Sequence, residues 1–520
     1  MSLSVETLSK ALKLAGGALQ VAVVIIVLGL VRSWGGHPAP GPSSPAGGAS
    51  QDEEFRTALT QEGRGIVRHP PPYEFGRGPL EALPAYDPSK KRETWQVDLR
   101  GYDLSSLDLE GRLEDLLMAD FDMATRWPGR LPRGFDPDRI MELGKDPGLG
   151  IRALHERGIT GKGVAVAIID QGLLVDHVEY KDRLRLYEEI HSWDERAAMH
   201  GPAVASIAVG RTVGVAPEAD LYYIAGTSGT SGPGGFVYDF SYLATAIDRI
   251  REVNAGLPEG RKIRVLSISV GWDPHRKGFA EANAAVARAQ AAGIFVVSMS
   301  LSRTSGGRFF LHGLGRSPVD DPNLLSSVKP GQWWAGTFFT GTYAPDPKVP
   351  YLLVPMDSRT FAGPTGPGDY AFNRAGGSSW TAPWLAGLYA LACQVDPGLT
   401  PEVFWKAALD TGAALEFPPS RDRPSEKTIE AQAAKMAAER LAMFDAKFPP
   451  GPERDKAMAD TYSHYAGKKV EKVSEADFKA WAAAMSRDWV VKSLSPSDKP
   501  VVLEKIVDPA KLLAALKKQE

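Results

Sequence analysis

The sequence predicts an α/β fold, a mainly parallel sheet with helices on both faces in a three-layer α/β/α arrangement. Short apolar runs recur from residue 163 onward: VAVAIID (164–170), ADLYYIAG (219–226), IRVLSISVG (263–271) and GIFVVSMS (293–300). Helical segments separate them: AVASIAVG (203–210), YDFSYLATAIDRIREVNAG (238–256) and FAEANAAVARAQAAG (279–293). The runs are continuously apolar rather than alternating, as in strands buried on both faces of a parallel sheet.

At 520 residues the chain exceeds one ordinary core, so several units are expected. Residues 14–31, LAGGALQVAVVIIVLGLV, are eighteen uncharged residues between Lys13 and Arg32, enough to approach the thickness of a bilayer's hydrocarbon. Residues 1–33 therefore read as an uncleaved signal anchor, Lys10 and Lys13 favouring an inside N-terminus and an extracytoplasmic catalytic body. Secretion after cleavage of a signal peptide is the alternative. The Pro/Gly/Ser-rich residues 34–50 form a linker. Residues 51–149 form an N-terminal extension. Its TWQVDLRGYDLSSLDL (94–109) has the leucine spacing of one leucine-rich turn, a single copy that establishes no repeat. Helix starts are expected at Asp136–Pro137 and at Gly150, the second helix ending at Gly158. Residues 150–418 form the α/β body. Residues 419–520 form a helical C-terminal extension, with charged segments such as EKTIEAQAAKMAAERLAMFDAK (426–447).

The net charge of −3 offers no basic face for nucleic acid. The single cysteine, Cys393, excludes a disulfide framework and lies in an apolar run that reads as buried. The histidines show no zinc-ligand spacing, so no metal is expected. No cofactor is expected either.

Three polar residues stand where a parallel sheet collects chemistry. Asp170 ends the first apolar run, and side chains beyond the carboxyl ends of strands face the functional edge. His200 opens HGPAVASIAVG, whose small residues allow a helix to pack closely. GGSSWTAP (376–383) places Ser378 and Ser379 ahead of a helix that Pro383 is suited to begin. Taken singly, each is ordinary: a turn aspartate, a structural histidine, an N-cap serine. Together they fit one chemistry, in which a histidine takes the proton of a serine hydroxyl and an aspartate orients the histidine.

The stretches VAVAIIDQG, HGPAVASIAVG, GVAPEADLYYI, LSISVGW and GGSSWTAPWLAGLYAL resemble, in order and spacing, the landmarks of the subtilisin-like serine proteases, or subtilases. The resemblance spans about residues 150–412. It implies a serine endopeptidase that hydrolyses peptide bonds through an acyl-enzyme, with a polypeptide substrate. It makes Asp170 the orienting acid, His200 the general base and Ser379 the nucleophile, since Ser379 stands four residues before Pro383 as the family's serine does. Ser269, Val270 and Gly271 match the family's substrate-pairing strand, and SGPGGF (231–236) would form the opposite wall of the cleft. Subtilases often bind calcium, but PVDDPN (318–323) is a poor local signal for it.

The departures define a divergent branch. Ser302 falls where the family has the asparagine whose amide holds the oxyanion. Losing that amide, measured on a subtilisin, costs roughly a hundred- to thousandfold in turnover. Hydroxyls at Ser302, Ser300 or Ser298 are the candidate substitutes. Pro202 replaces a threonine, Gln171 a small residue, and Trp380 a methionine, where it would narrow the cleft. A subtilase-fold protein that binds peptides or partners with little or no turnover is the alternative function.

Overall fold

The computed structural model describes residues 65–517 apart from 75, 89, 91–94, 233–234, 340–349, 419–425, 467–468 and 494–500. The expected anchor and linker, residues 1–50, lie outside the described residues. Among the described residues no helix is long and apolar enough to cross a membrane.

The strands, in chain order, are β1 (Gly65–Ile66), β2 (Gly78–Pro79), β3 (Tyr102–Asp103), β4 (Phe121–Asp122), β5 (Ala165–Asp170), β6 (Leu184–Ile190), β7 (Asp220–Gly226), β8 (Gly229–Gly232), β9 (Gly235–Tyr238), β10 (Ile263–Ile268), β11 (Phe295–Ser298), β12 (Leu311–Gly315), β13 (Lys329–Pro330), β14 (Leu352–Pro355), β15 (Arg359–Ala362), β16 (Tyr370–Asn373), β17 (Ala413–Phe417) and β18 (Val501–Ile506). The central sheet runs β1-β6-β7-β5-β10-β11, with every neighbouring pair parallel. Alternate residues of β5 serve opposite layers. Val166 and Ile168 pack with helices His200–Val209 and Thr381–Val395, whereas Ala165, Ala167 and Ile169 pack with helices Ser241–Gly256 and Phe279–Ala291. The α/β reading is the observed architecture, with both faces of a mainly parallel sheet covered. β7 and β10 flank β5, so the carboxyl end of β5 lies where strand order reverses and a crevice opens.

One strand escapes the sequence pattern. LRLYEEI (184–190) does not read as a buried strand, because Arg185, Glu188 and Glu189 interrupt its apolar residues. Those charges are matched inside the fold. Arg249 holds both Glu188 oxygens at 2.8 and 2.9 Å, Tyr187 Oη donates to Glu189 at 2.6 Å, and Arg185 pairs with Asp220.

The extension before residue 150 folds onto this body. Its rungs stack in parallel: Gly78 on Tyr102, Asp98 on Asp120, Asp103 on Arg126, spacings of 24, 22 and 23 residues. The leucine spacing around 94–109 is therefore one turn of a short coil whose neighbouring turns lack a leucine signature. Leu99, Leu104 and Phe121 fill its interior. β4 pairs antiparallel with β16, placing Phe121 opposite Phe372 with ring centroids 5.1 Å apart. Helix Pro137–Lys145 starts where Asp136 accepts the Arg139 N–H, and helix Ile151–Glu156 follows Gly150, both as the sequence suggests.

The chain divides into two compact units, residues 1–333 with 349–415 and 504–520, and residues 334–348 with 416–503. The second contains helices Glu426–Lys447, Pro452–Ala466 and Glu475–Ser493, the first and third packed through Ile429, Ala433, Met436 and Val490. The last helix, Pro509–Lys517, belongs to the first unit, where Leu512, Leu513 and Leu516 join the main core.

Candidate active site

Asp170 closes β5, paired with Ala225 of β7, its side chain almost wholly buried. One carboxylate oxygen, Oδ1, accepts the Gln171 N–H at 2.8 Å and faces His200 Nδ1 at 2.6 Å. This short contact fixes the imidazole: Nδ1 is committed to the carboxylate, which leaves Nε2 to act. His200 is the first residue of its helix, and Gly201 explains how that helix comes so near. A Cβ on Gly201 would lie 2.6 Å from the Gln171 carbonyl oxygen, 2.7 Å from Tyr223 Oη and 2.9 Å from the Gly172 carbonyl oxygen. Only glycine lets the helix press onto the turn that carries Asp170. Tyr223 Oη donates to the Gln171 carbonyl at 2.5 Å, and the Gly172 N–H donates to Asp194 at 2.7 Å, so the turn is braced beneath and beside.

His200 Nε2 is buried and makes no hydrogen bond. Buried polar atoms are rarely left this way, and active sites are one place they are. Ser379 lies in the single 3-10 turn Ser378–Trp380 that opens helix Thr381–Val395. Gly377, at φ +63°, turns the chain into it in a conformation that suits glycine. Ser379 is buried. Its Oγ donates to the Ser269 carbonyl at a long 3.4 Å, and Ser269 Oγ donates back to the Ser379 carbonyl at 2.8 Å. The hydroxyl is thus weakly held, and no hydrogen bond joins it to His200 Nε2; contacts of this kind commonly tighten only when substrate binds.

The structure brings Ser269 directly against Ser379. Ser269, Val270 and Gly271 follow β10 without strand pairing among the described residues, so they extend β10 rather than form a ladder of their own. The SGPGGF stretch falls in the hairpin of β8 and β9, whose Ser231 pairs with Phe236. Trp380 departs from expectation. It does not narrow the cleft: it is 2% exposed, its ring 5.3 Å from the His200 imidazole and 5.2 Å from Phe361. A large flat ring on the residue after the serine is accommodated by burial under the histidine, and Gly376 makes the room. A Cβ there would lie 1.9 Å from Trp380 Cδ1.

The three serines near the oxyanion position separate clearly. Ser300 Oγ accepts from the Trp272 N–H and donates to the Trp272 carbonyl, at 2.9 and 3.0 Å. Ser298 Oγ accepts the Ser300 N–H at 3.1 Å. Both hydroxyls are spent on holding the turn after β11. Ser302 lies in the short helix Leu301–Thr304, and its carbonyl accepts the Gly307 N–H. Among the described residues no hydrogen bond ties the Ser302 side chain to Ser379.

No group of three His, Cys, Asp or Glu side chains able to hold a metal occurs among the described residues. The 318–323 turn is a joint between the extension and the body: Asn323 accepts the Gly150 N–H and donates to Asp146. Cys393 is buried, and burial pushes its thiol up to about 12, so it stays protonated at neutral pH.

An acid–histidine pair at the end of a central parallel strand and a serine at a helix start are the kinds of group that a serine hydrolase uses. Residues 161–335 match the model of the subtilase family, a stretch that includes Asp170 and His200 and ends before Ser379. Over that stretch the chain is similar to the subtilases. No curated protein matches it. Among solved structures it is similar to the prenylagaramide maturation protease PagA, with 16% identity, 51% of this chain and 89% of that chain covered, and a TM-score of 0.36.

Proposed function

We propose that Ser379 attacks the scissile carbonyl of a polypeptide, with His200 as general base and Asp170 as its orienting acid. The observation that carries this reading is His200 itself: Nδ1 sits 2.6 Å from Asp170 while Nε2 is buried and unpartnered. In this reading the Ser379 hydroxyl leaves the Ser269 carbonyl and becomes the proton donor to Nε2. Oγ then bonds to the carbonyl carbon, the proton passes to Nε2, and the imidazolium returns it to the leaving amine. The acyl-enzyme is hydrolysed by water through the same base. The Ser379 N–H, beside the positive end of helix Thr381–Val395, receives the oxyanion. The Ser302 hydroxyl is the second donor in this reading. Substrate lies extended along Ser269–Gly271, pairing through backbone and so with limited sequence dependence.

Labelling with a serine-directed fluorophosphonate tests the assignment. The full chain is expected to label, and Ser379→Ala and His200→Ala proteins to remain unlabelled. Labelling that survives Ser379→Ala overturns the nucleophile assignment. The missing asparagine favours a second reading, a peptide-binding protein with little turnover, and an unlabelled wild-type chain is the result that supports it. Residues 14–31 tether this body to a membrane in the proposed reading, and alkaline-carbonate extraction that frees the full chain would oppose it.

A further inference from the structure

A buried carboxylate outside the triad holds the turn that presents Ser379. Asp357 follows β14 and is 3% exposed. Its Oδ1 accepts the Gly376 N–H at 3.1 Å, three residues before Ser379. Its Oδ2 accepts the N–H of Gln332, the first residue of helix Gln332–Phe339, at 2.7 Å. Gly376 has little freedom to move: a Cβ there would meet Trp380 Cδ1 at 1.9 Å and the Met356 carbonyl oxygen at 2.3 Å. Trp380 in turn rests against His200. A shift of Gly376 would therefore reach both the nucleophile and its base.

The surroundings show that this carboxylate is costly to keep. Burial pushes Asp357 up to about 6, with Arg374 pulling the other way. The next residue, Ser358, is fully buried at φ +55°, a left-handed conformation that costs a non-glycine residue about 1 kcal/mol or more. A buried carboxylate without an ion-pair partner costs free energy, so stability alone does not account for it. Arg374 is itself fixed by the extension, its backbone N–H donating to Asp120 at 2.7 Å and its Nε to the Leu117 carbonyl at 3.1 Å.

We infer that Asp357 is a positioning residue for the nucleophile, its carboxylate clamping the Gly376 N–H to the start of helix Gln332–Phe339 and so setting the path of the turn that presents Ser379. The inference rests on Ser379 as nucleophile. Asp357→Asn keeps one acceptor oxygen and loses the other. In the full chain it is expected to lower the limiting rate of fluorophosphonate labelling by about tenfold or more, with the probe's half-saturating concentration within about twofold of wild type. Amide exchange in a peptide spanning Gly376 is expected to quicken, while exchange in β5 is unchanged. Because Asp357→Asn leaves the buried Arg374 charge without the opposite charge near it, a separate source of instability, Asp357→Asn with Arg374→Gln is the companion. Its melting temperature is expected to recover while labelling stays slow. Wild-type labelling in the companion variant, or unchanged exchange at Gly376 in both variants, overturns the inference. Labelling that survives Ser379→Ala would instead count against the nucleophile, and the exchange measurement would still decide the role of Asp357.

Discussion

Gly201 and Gly376 shape the candidate site as closely as the three side chains proposed to carry its chemistry. Each lies where a Cβ would strike fixed atoms: the Gln171 and Gly172 carbonyls and Tyr223 around Gly201, Trp380 and the Met356 carbonyl around Gly376. Gly201→Ala is expected to push His200 off Asp170, lowering labelling by about a hundredfold and stability by about 1–3 kcal/mol. Denaturant melts beside fluorophosphonate kinetics check both. Ser302 poses a different question. If its hydroxyl helps to hold the oxyanion, Ser302→Ala lowers kcat by about tenfold or more with little change in KM. An unchanged kcat would leave the Ser379 N–H as the oxyanion's donor without it. Sequence spacing picked out Asp170, His200 and Ser379, because helix and strand termini reveal themselves locally. Asp357 left no such trace: its partners are 19 and 25 residues away, and only folding shows what a lone aspartate touches.

Among the elements, β4 and β16 form the joint on which the extension depends. Phe121 and Phe372 meet across it, while Asp120, on the rung just before β4, is buried beside the site's supporting arginine. Burial pushes Asp120 up to about 7, opposed chiefly by Arg100. A carboxyl whose folded pKa is raised holds its proton longer when folded than when unfolded. Stability from this group is therefore full below its unfolded value and is lost as pH rises toward 7. Asp120→Asn keeps an acceptor for the Arg374 N–H and removes the titration. Its melting temperature is expected to match wild type near pH 4 and exceed it at about pH 8. Equal melting temperatures at about pH 8 would show that Asp120 is not held up as described. β6 shows why part of the fold was illegible: buried Glu188 and Glu189 look like surface residues until Arg249 and Tyr187 are seen to satisfy them.

At the scale of the molecule, the extension is hydrogen-bonded into the body. Arg316 donates to the Leu143 carbonyl, Arg359 to those of Asp146 and Pro147, and the Trp384 indole N–H to that of Pro147. A chain beginning at Gly150 would lose these acceptors and uncover Phe372. Such a truncation is expected to aggregate or fail to fold, read by size exclusion and by loss of a cooperative melt. A soluble truncation that labels at the wild-type rate would show the extension to be dispensable.

The α/β class was determined by sequence alone, because strands buried on both faces must be apolar throughout and the helices between them must be amphipathic or small. The candidate triad came from its residue types and from resemblance to the subtilases, because each member sits at an element's end marked by glycine or proline. Tertiary structure decided what depends on distant partners. It revealed the charged strand β6, the stacked coil before residue 150 and the burial of Trp380 beneath His200. It also revealed the carboxylate of Asp357 behind the nucleophile. In each case the deciding interaction joins residues far apart in the chain, and its energy arises only when folding excludes water between them.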